Sequence, residues 1–391
     1  MRFSPDRPLG VAPASVSDYR ELARRRLPRQ MFDYIDGGAY EEATMRNNIG
    51  DLEKVLLRQV VMKDVSVREQ SCEVLGQPLS MPVILGPVGL AGMFSRRAEV
   101  QAARAAGSAG IPFVESTVSI CGLEEVAEAA GTPPWFQLYV IRDRSFAEGL
   151  MARATEAGSP VLVLTVDLPV VGARHRDTRN AMVGSPSGWA GVRRGLDLLT
   201  HPRWIRDVAI KGKPLTFGNL AEAVPGARSP RDFKSWVDSQ FDPSVTWEDI
   251  SWVRQHWSGK LVIKGILDAE DARRAADSGV DGVIVSNHGG RQLDSVPSSA
   301  RALAAVVDAV GDQIEVLADG GVRTGLDVFK LMALGARAVL IGRAWAFAVA
   351  ADGEAGVSNV IEFLRGDIDT ALGLTGLNSV TDIDGAALYQ R

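Results

Sequence analysis

A histidine and an arginine stand three residues apart in Ser286-Asn-His-Gly-Gly-Arg-Gln292, directly after the apolar run Val280-Asp-Gly-Val-Ile-Val285. An imidazole titrates near neutrality and can carry a proton, and a guanidinium fork fits a planar anion. The chain has only four histidines. One of them in a glycine-softened loop calls for a reason beyond the turn, although many glycine turns after strands are inert.

Polar groups end the other apolar runs as well. Gly86-Pro87-Val88-Gly89 follows the first run and Ser116-Thr117 the second, while Gln137 and Tyr139 lie in the third. Thr165 and Asp167 close the fourth, with Arg174 seven residues beyond Asp167, and Lys264 ends the fifth. His288 and Arg291 follow the sixth, Asp319-Gly320-Gly321 with Arg323 the seventh, and Gly342-Arg343 the eighth. Taken singly, a strand-end lysine is a solvated or paired cation and a tyrosine is rim packing. A whole ring of donors and charges is rarely needed for packing. Glycine turns with arginines after the last two runs have the makings of a phosphate site. Gly86 and Gly89 would let a flat ring approach the backbone.

The elements that must position these groups read as an α/β chain. The runs Pro82–Pro87, Pro112–Thr117, Trp135–Ile141, Val161–Leu168, Leu261–Ile266, Gly282–His288, Glu315–Gly321 and Ala338–Arg343 are nearly continuous in apolar residues. That is the pattern of strands buried on both faces of a parallel sheet. Helical patterns lie between them at Arg97–Ile111, Ser145–Ser159, Ala269–Val280 and Gly325–Ala336, several ending at glycine. Eight such units predict a (β/α)8 TIM barrel. An open doubly wound sheet is the alternative, disfavoured because eight is the barrel's number and the polar groups collect at C-terminal strand ends.

A single domain over 1–391 is expected, with an N-terminal helical extension at 1–80 and a long insert after strand 4 at 172–249. The extension carries a helical pattern from Ser17 to Ala39, opened by a Ser or Asp cap and closed by Gly37-Gly38. The insert is far longer than an ordinary βα connection. Its part from 172 to 215 interleaves Arg174, Arg176, Arg179, Arg193, Arg194, Arg203, Arg206, Lys211 and Lys213 with Trp189, Leu196, Leu198, Leu199, Trp204, Ile205, Val208 and Ile210. This mixture suits a contact with anionic lipid. It equally suits an active-site lid or a partner contact within an oligomer.

The bulk composition narrows the classes further. With 46% hydrophobic and 23% charged residues the chain is of the globular, soluble type, and its net charge of −5 gives no reason to expect nucleic acid. Two cysteines, Cys72 and Cys121, make neither a disulfide framework nor a metal cluster and are expected to be reduced. The histidines are scattered, none paired at i, i+4, so no metal is expected. No G-x-G-x-x-G opens a helix after a strand, which argues against a nicotinamide site. No secretory h-region is visible, and the longest apolar stretch, Met81–Met93, is too short and too rich in Gly and Pro to span a bilayer. A cytoplasmic protein is expected, with a peripheral place on the inner face of the membrane left open.

Ser286–Gln292 matches the active-site signature of the FMN-dependent 2-hydroxy-acid oxidases and dehydrogenases, and the chain resembles that family from about Tyr19 to about Ala387. Within it the likeness is greatest to the bacterial quinone-linked L-lactate dehydrogenases. Further matching stretches are Asp36–Glu41, Leu79–Phe94, Ser116–Glu128, Thr165–Thr178, Val262–Arg274 and Ser298–Ala304. The resemblance implies FMN as cofactor and oxidation of an L-2-hydroxy acid, foremost L-lactate to pyruvate, with electrons passed to a quinone. The alternative is a soluble oxidase acting on lactate, mandelate or glycolate and reducing oxygen to hydrogen peroxide. A non-catalytic flavin- or phosphate-binding barrel would leave the charged ring unexplained. A homo-tetramer is common in the family.

The resemblance also implies roles. His288 would be the base and Asp167 the carboxylate that stabilises its imidazolium. Arg291 and Arg174, with Tyr34, would hold the substrate carboxylate, and Tyr139 the substrate hydroxyl. Lys264 would stabilise the reduced flavin at its N1–C2 edge. Gln137, Thr165, Ser116 and Ser286 would contact the flavin, with Pro87, Val88 and Gly89 along the ring. Asp319 would hold the ribityl chain, and Gly321, Arg323, Gly342 and Arg343 the phosphate end. Val88, Val118 and Val171 would face the substrate's side chain, which fits lactate without excluding mandelate. Gly89 stands where oxidases of the family often carry alanine, which favours a dehydrogenase.

Overall fold

A computed structural model describes residues 12–180, 188–221 and 240–389. Eight parallel strands form one sheet: β1 (Val83–Leu85), β2 (Val114–Ser116), β3 (Trp135–Tyr139), β4 (Val161–Thr165), β5 (Lys260–Ile266), β6 (Gly282–Val285), β7 (Glu315–Ala318) and β8 (Val339–Ile341). Neighbours pair in chain order from β2 to β8, and β8 returns to pair with β1 in register Val339↔Val83. The last seam, β1 to β2, is closed by a parallel bridge between Leu85 and Phe113 and by Leu85 N donating to Pro112 O at 2.9 Å. The expected barrel is therefore present.

Alternation along each strand sorts side chains between two cores. Ile84, Val114, Trp135, Val161, Val163, Val262, Ile284, Leu317 and Leu340 fill the interior, joined from below by Val74, Leu75 and Leu79 of an antiparallel hairpin (Cys72–Val74 with Gln77–Leu79). Leu85, Phe136, Leu138, Leu162, Leu164, Ile263, Val283 and Val285 face the surrounding helices. One more inward step along each strand reaches Ser116, Gln137 then Tyr139, Thr165, Lys264, Ser286, Asp319 and Gly342. The period of two thus aims these groups into one mouth.

The helical pattern over Ser17–Ala39 is two helices, α1 (Val16–Arg26) and α2 (Arg29–Asp36). Leu27 turns extended at ψ 141 before Pro28 at ψ 143. A proline disfavours the helical conformation in the residue before it, which breaks the pattern there. Ser15 caps α1 by accepting from Asp18 N at 3.2 Å. A third helix, α3 (Ala43–Lys54), lies against the mouth, where its Asn48 side chain exchanges two 2.8 Å hydrogen bonds with Asn287.

Within the insert, the structure divides the apolar residues read as one class. Trp204 and Val208 are buried, and Trp204 Nε1 donates to Met93 O at 2.8 Å. Leu198, Ile205, Ala209 and Leu215 pack beside them. Val192, Leu196 and Leu199, on the helix Gly188–Leu199, stay exposed, as does Ile210. Packing against the barrel therefore claims part of the segment that suited a lipid contact and a lid or partner contact alike. The side chain of Trp189 and the stretches 181–187 and 222–239 lie outside the described residues. Both cysteines are free, and burial pushes the Cys72 thiol up to about 11.

Candidate active site

A cavity of about 440 Å³ opens at the C-terminal ends of the strands, a volume suited to a cofactor-sized ligand. Its lining includes Pro87, Val88, Gly89, Tyr34, Tyr139, Thr165, Arg174, Lys264, His288, Arg291, Asp319, Gly321, Arg323, Gly342 and Arg343. Ser116, Gln137 and Ser286 are buried beneath that lining. Asp167 reaches the site through His288, whose Nδ1 lies 2.9 Å from Asp167 Oδ1. The residues expected from the sequence are thus gathered in one place.

The loop after β6 turns by strain. His288, Gly289 and Gly290 have φ of 57°, 64° and 74° in succession, a left-handed run that only glycine adopts freely. A histidine in that conformation is held by its surroundings. Its N–H donates to Ser286 Oγ at 3.0 Å, and Asn287 Oδ1 accepts from Gly290 N at 3.0 Å. A Cβ on Gly290 would come within 2.6 Å of Met45 N.

The electrostatics keep the imidazole basic but neutral. Burial lowers the His288 pKa below its ordinary value, and the Asp167 carboxylate only partly offsets this, with Lys264 and Arg174 pushing the same way as burial. The neighbouring carboxylate does raise it, but desolvation prevails. Desolvation would raise the Asp167 pKa, yet His288 and Lys264 hold it below the ordinary range. Burial likewise opposes the charge of Lys264, but Asp319 at 3.0 Å together with Asp167 outweighs it and raises the ammonium's pKa. Lys264 also donates to Ser286 Oγ at 2.7 Å.

Cations crowd the other side. Arg291 sits 4.8 Å over the Tyr34 ring and donates to Tyr34 O and Gly37 O at 2.6 and 2.9 Å. Arg343 donates to Ile35 O, Gly289 O and Gly37 O. Burial, then the charge of Arg174, pushes Arg291 down to about 10, and burial with Arg291 and Arg323 lowers Arg343 well below its ordinary value. Such mutually repelling guanidinium groups are the environment an anion stabilises.

Polar atoms without partners mark where a flavin would fit. Gln137 Nε2, Thr165 Oγ1, Asp167 Oδ2 and Asp319 Oδ1 are buried with no hydrogen-bond partner among the described residues. They are spread around the floor and wall of the mouth, as the polar edges of an isoalloxazine and its ribityl chain require. At the far end the loop before the helix Gly325–Ala333 is fixed by a capping box between Thr324 and Asp327, and Arg323 N donates to Asp327 Oδ2 at 2.9 Å. The donor set fits FMN.

Several positioning residues escaped the sequence reading. Gln292 donates to Asp167 O and Val170 O and accepts from Gly172 N, pinning the chain between Asp167 and Arg174. Arg176, read only as part of a basic segment, bonds Asp36 and Glu42 at 2.8 and 2.6 Å. Phe217 and Phe241 come from the insert to the cavity wall, and the Phe241 ring meets Tyr139 edge-on at 5.6 Å. Leu168 lines the wall beside Val88, Val118 and Val171. Gln292 stood inside the quoted signature; the two phenylalanines had no local signal.

The family model for FMN-dependent dehydrogenases matches residues 23–390. The chain belongs to this family. An L-lactate dehydrogenase of Caulobacter vibrioides (strain NA1000 / CB15N) is 54% identical over 378 residues, 97% of this chain and 98% of that protein. One of Xanthomonas oryzae pv. oryzae (strain PXO99A) is 52% identical over 96% of both chains. Among solved structures, the monotopic membrane protein (S)-mandelate dehydrogenase superposes with a TM-score of 0.91 at 40% identity, covering 97% of this chain and 100% of its own. Mandelate oxidase follows at 0.82 and 36%, covering 97% and 99%. Membership makes this an FMN-dependent dehydrogenase with FMN as its cofactor. Among the described residues no His/Cys/Asp/Glu group could hold a metal ion, and no helix is long and apolar enough to cross a membrane.

Proposed function

We propose that this dehydrogenase oxidises an L-2-hydroxy acid, namely L-lactate to pyruvate, and passes the electrons to a quinone. The observation that carries the reading is the His288–Asp167 pair at 2.9 Å facing Arg174 and Arg291 across one cavity. His288, neutral before reaction, takes the substrate's hydroxyl proton, and Asp167 stabilises the imidazolium that forms. Arg291 and Arg174, with Tyr34 beside them, hold the carboxylate, and Tyr139 orients the hydroxyl. Bound FMN supplies the acceptor for the hydride equivalent. Gln137, Thr165, Ser116 and Ser286 would hold its polar edges, and Pro87, Val88 and Gly89 its ring. Lys264 would supply a positive charge to the reduced flavin, Asp319 would hold the ribityl chain, and Gly321, Arg323, Gly342 and Arg343 the phosphate. The side chains of Val88, Val118 and Leu168 suit a short aliphatic substituent.

We further propose that the enzyme is a homo-tetramer resting on the inner face of the cell membrane. Val192, Leu196 and Leu199 are 53%, 60% and 70% exposed and stand at i, i+4 and i+7 of one helix, with exposed Arg193 and Arg203 nearby. An apolar stripe with basic neighbours supports an interfacial helix that would hold the flavoenzyme against a membrane carrying its quinone acceptor. Anaerobic addition of L-lactate to the yellow protein tests the chemistry. Bleaching, followed by slow reoxidation in air and rapid reoxidation by a quinone analogue, is expected. No bleaching with any 2-hydroxy acid rejects the reading, and rapid reoxidation by oxygen with peroxide release replaces the dehydrogenase with a soluble oxidase.

A further inference from the structure

Two fully buried carboxyl groups, Glu99 and Glu115, lie outside the machinery described above. Glu99 is in the first turn of α4 (Ala98–Ala109). Its Oε1 accepts from Gly92 N and from Ile120 N, both at 2.9 Å. Gly92 belongs to the loop after β1 and Ile120 to the loop after β2, so one oxygen joins the loops that carry Val88, Gly89 and Val118. Leu90 N donating to Val118 O at 3.0 Å is the other join. The loops are in tight contact: a Cβ on Gly92 would stand 2.6 Å from Ile120 Cβ, and one on Gly89 2.6 Å from Val118 Cγ2.

Glu115 is on the outward face of β2, toward α4. Both of its oxygens and Glu99 Oε2 lack a hydrogen-bond partner among the described residues. Unpartnered oxygens in the interior cost less on a neutral acid than on an anion. Burial and the charge of Glu99 push Glu115 well above the ordinary carboxyl range, and Ser119, Asn219 and Arg97 ease this only in part. Glu115 therefore holds its proton more tightly than an ordinary carboxyl.

We propose that Glu99 is a positioning residue for substrate selection: it clasps the loops after β1 and β2 so that Val118 limits the side chain of the acid that fits. This rests on the reading that the Val88–Val118 wall receives that side chain. The test compares kcat/KM for L-lactate and L-2-hydroxyhexanoate. Glu99→Gln keeps an oxygen for both N–H bonds and retains the wild-type ratio. Glu99→Ala lowers the preference for lactate about tenfold, through KM, with flavin content kept. Equal losses on both acids, or a loss confined to kcat, overturn the proposal.

Should Glu99→Ala not fold, Gly92→Ala pushes the same loops apart with the carboxylate intact, and an unchanged ratio there overturns it equally. Independently of turnover, the wild type should show the infrared C=O stretch of a buried carboxylic acid, lost in Glu115→Gln; its absence from the wild type overturns a protonated Glu115. Failure of the underlying functional reading is separate, because wild-type flavin would then not bleach with either acid.

Discussion

His288 Nδ1 and Asp167 Oδ1 are 2.9 Å apart although 121 residues separate them in the chain. Burial nevertheless keeps the imidazole below its ordinary pKa. The base is therefore neutral at pH 7, and kcat/KM should stay level as pH falls through about 6.5, the unperturbed value, and decline only below it. Asp167→Asn removes the carboxylate that raises this pKa. The acid limb should move to still lower pH while the plateau falls ~10² to 10⁴-fold, as the imidazolium loses its counter-charge. A limb moving to higher pH would count against the pair. His288→Ala should keep FMN and lose turnover to a similar degree or more.

Arg291 is fixed by two backbone carbonyls and the Tyr34 ring, so its fork is aimed before any anion arrives. A lysine keeps the charge but not the paired geometry. Arg291→Lys should raise KM for L-lactate roughly 10- to 100-fold, the scale of one charge-assisted hydrogen bond. Initial-rate kinetics check this, and an unchanged KM would remove Arg291 from the carboxylate site.

Gly265 has φ +112 at a register shift in β5, and a Cβ there would lie 2.6 Å from Asp167 Cβ. Gly265→Ala should cost about 1–3 kcal/mol of stability and displace Asp167, lowering both Tm and turnover. Gly131→Ala is the control, because that glycine has φ +68 but open space around it. Its Tm should fall with turnover unaffected. Equal turnover in the two variants would show that Asp167 tolerates the displacement.

The exposed stripe on the helix Gly188–Leu199 yields a membrane prediction. Leu196→Asp combined with Leu199→Asp should weaken co-sedimentation with anionic liposomes about tenfold or more, while dye-linked lactate oxidation stays near wild type. Unaltered sedimentation would direct attention to the rest of the insert.

Much of this was legible because strands and helices impose short periods. Each strand lies within its apolar run apart from a residue at the start of β5, and the inward-facing polar group at or just past its C-terminal end identifies the active face. The reading failed where distant packing decides. Trp204 and Val208 looked like the exposed leucines around them, yet they pack on the barrel and Trp204 bonds Met93 O. The break at Pro28 was local and could have been read; the pairing of Asn48 with Asn287, or of Arg176 with Asp36 and Glu42, could not.

By itself the sequence determined the kinds of groups at the mouth and their inward aim, since a backbone period of two needs no knowledge of the rest of the chain. Only the tertiary structure decided which groups meet, how His288 is strained, and in which direction its proton affinity moves. Those depend on burial and on charges brought in from elsewhere in the chain, and closure of the barrel is what brings them together.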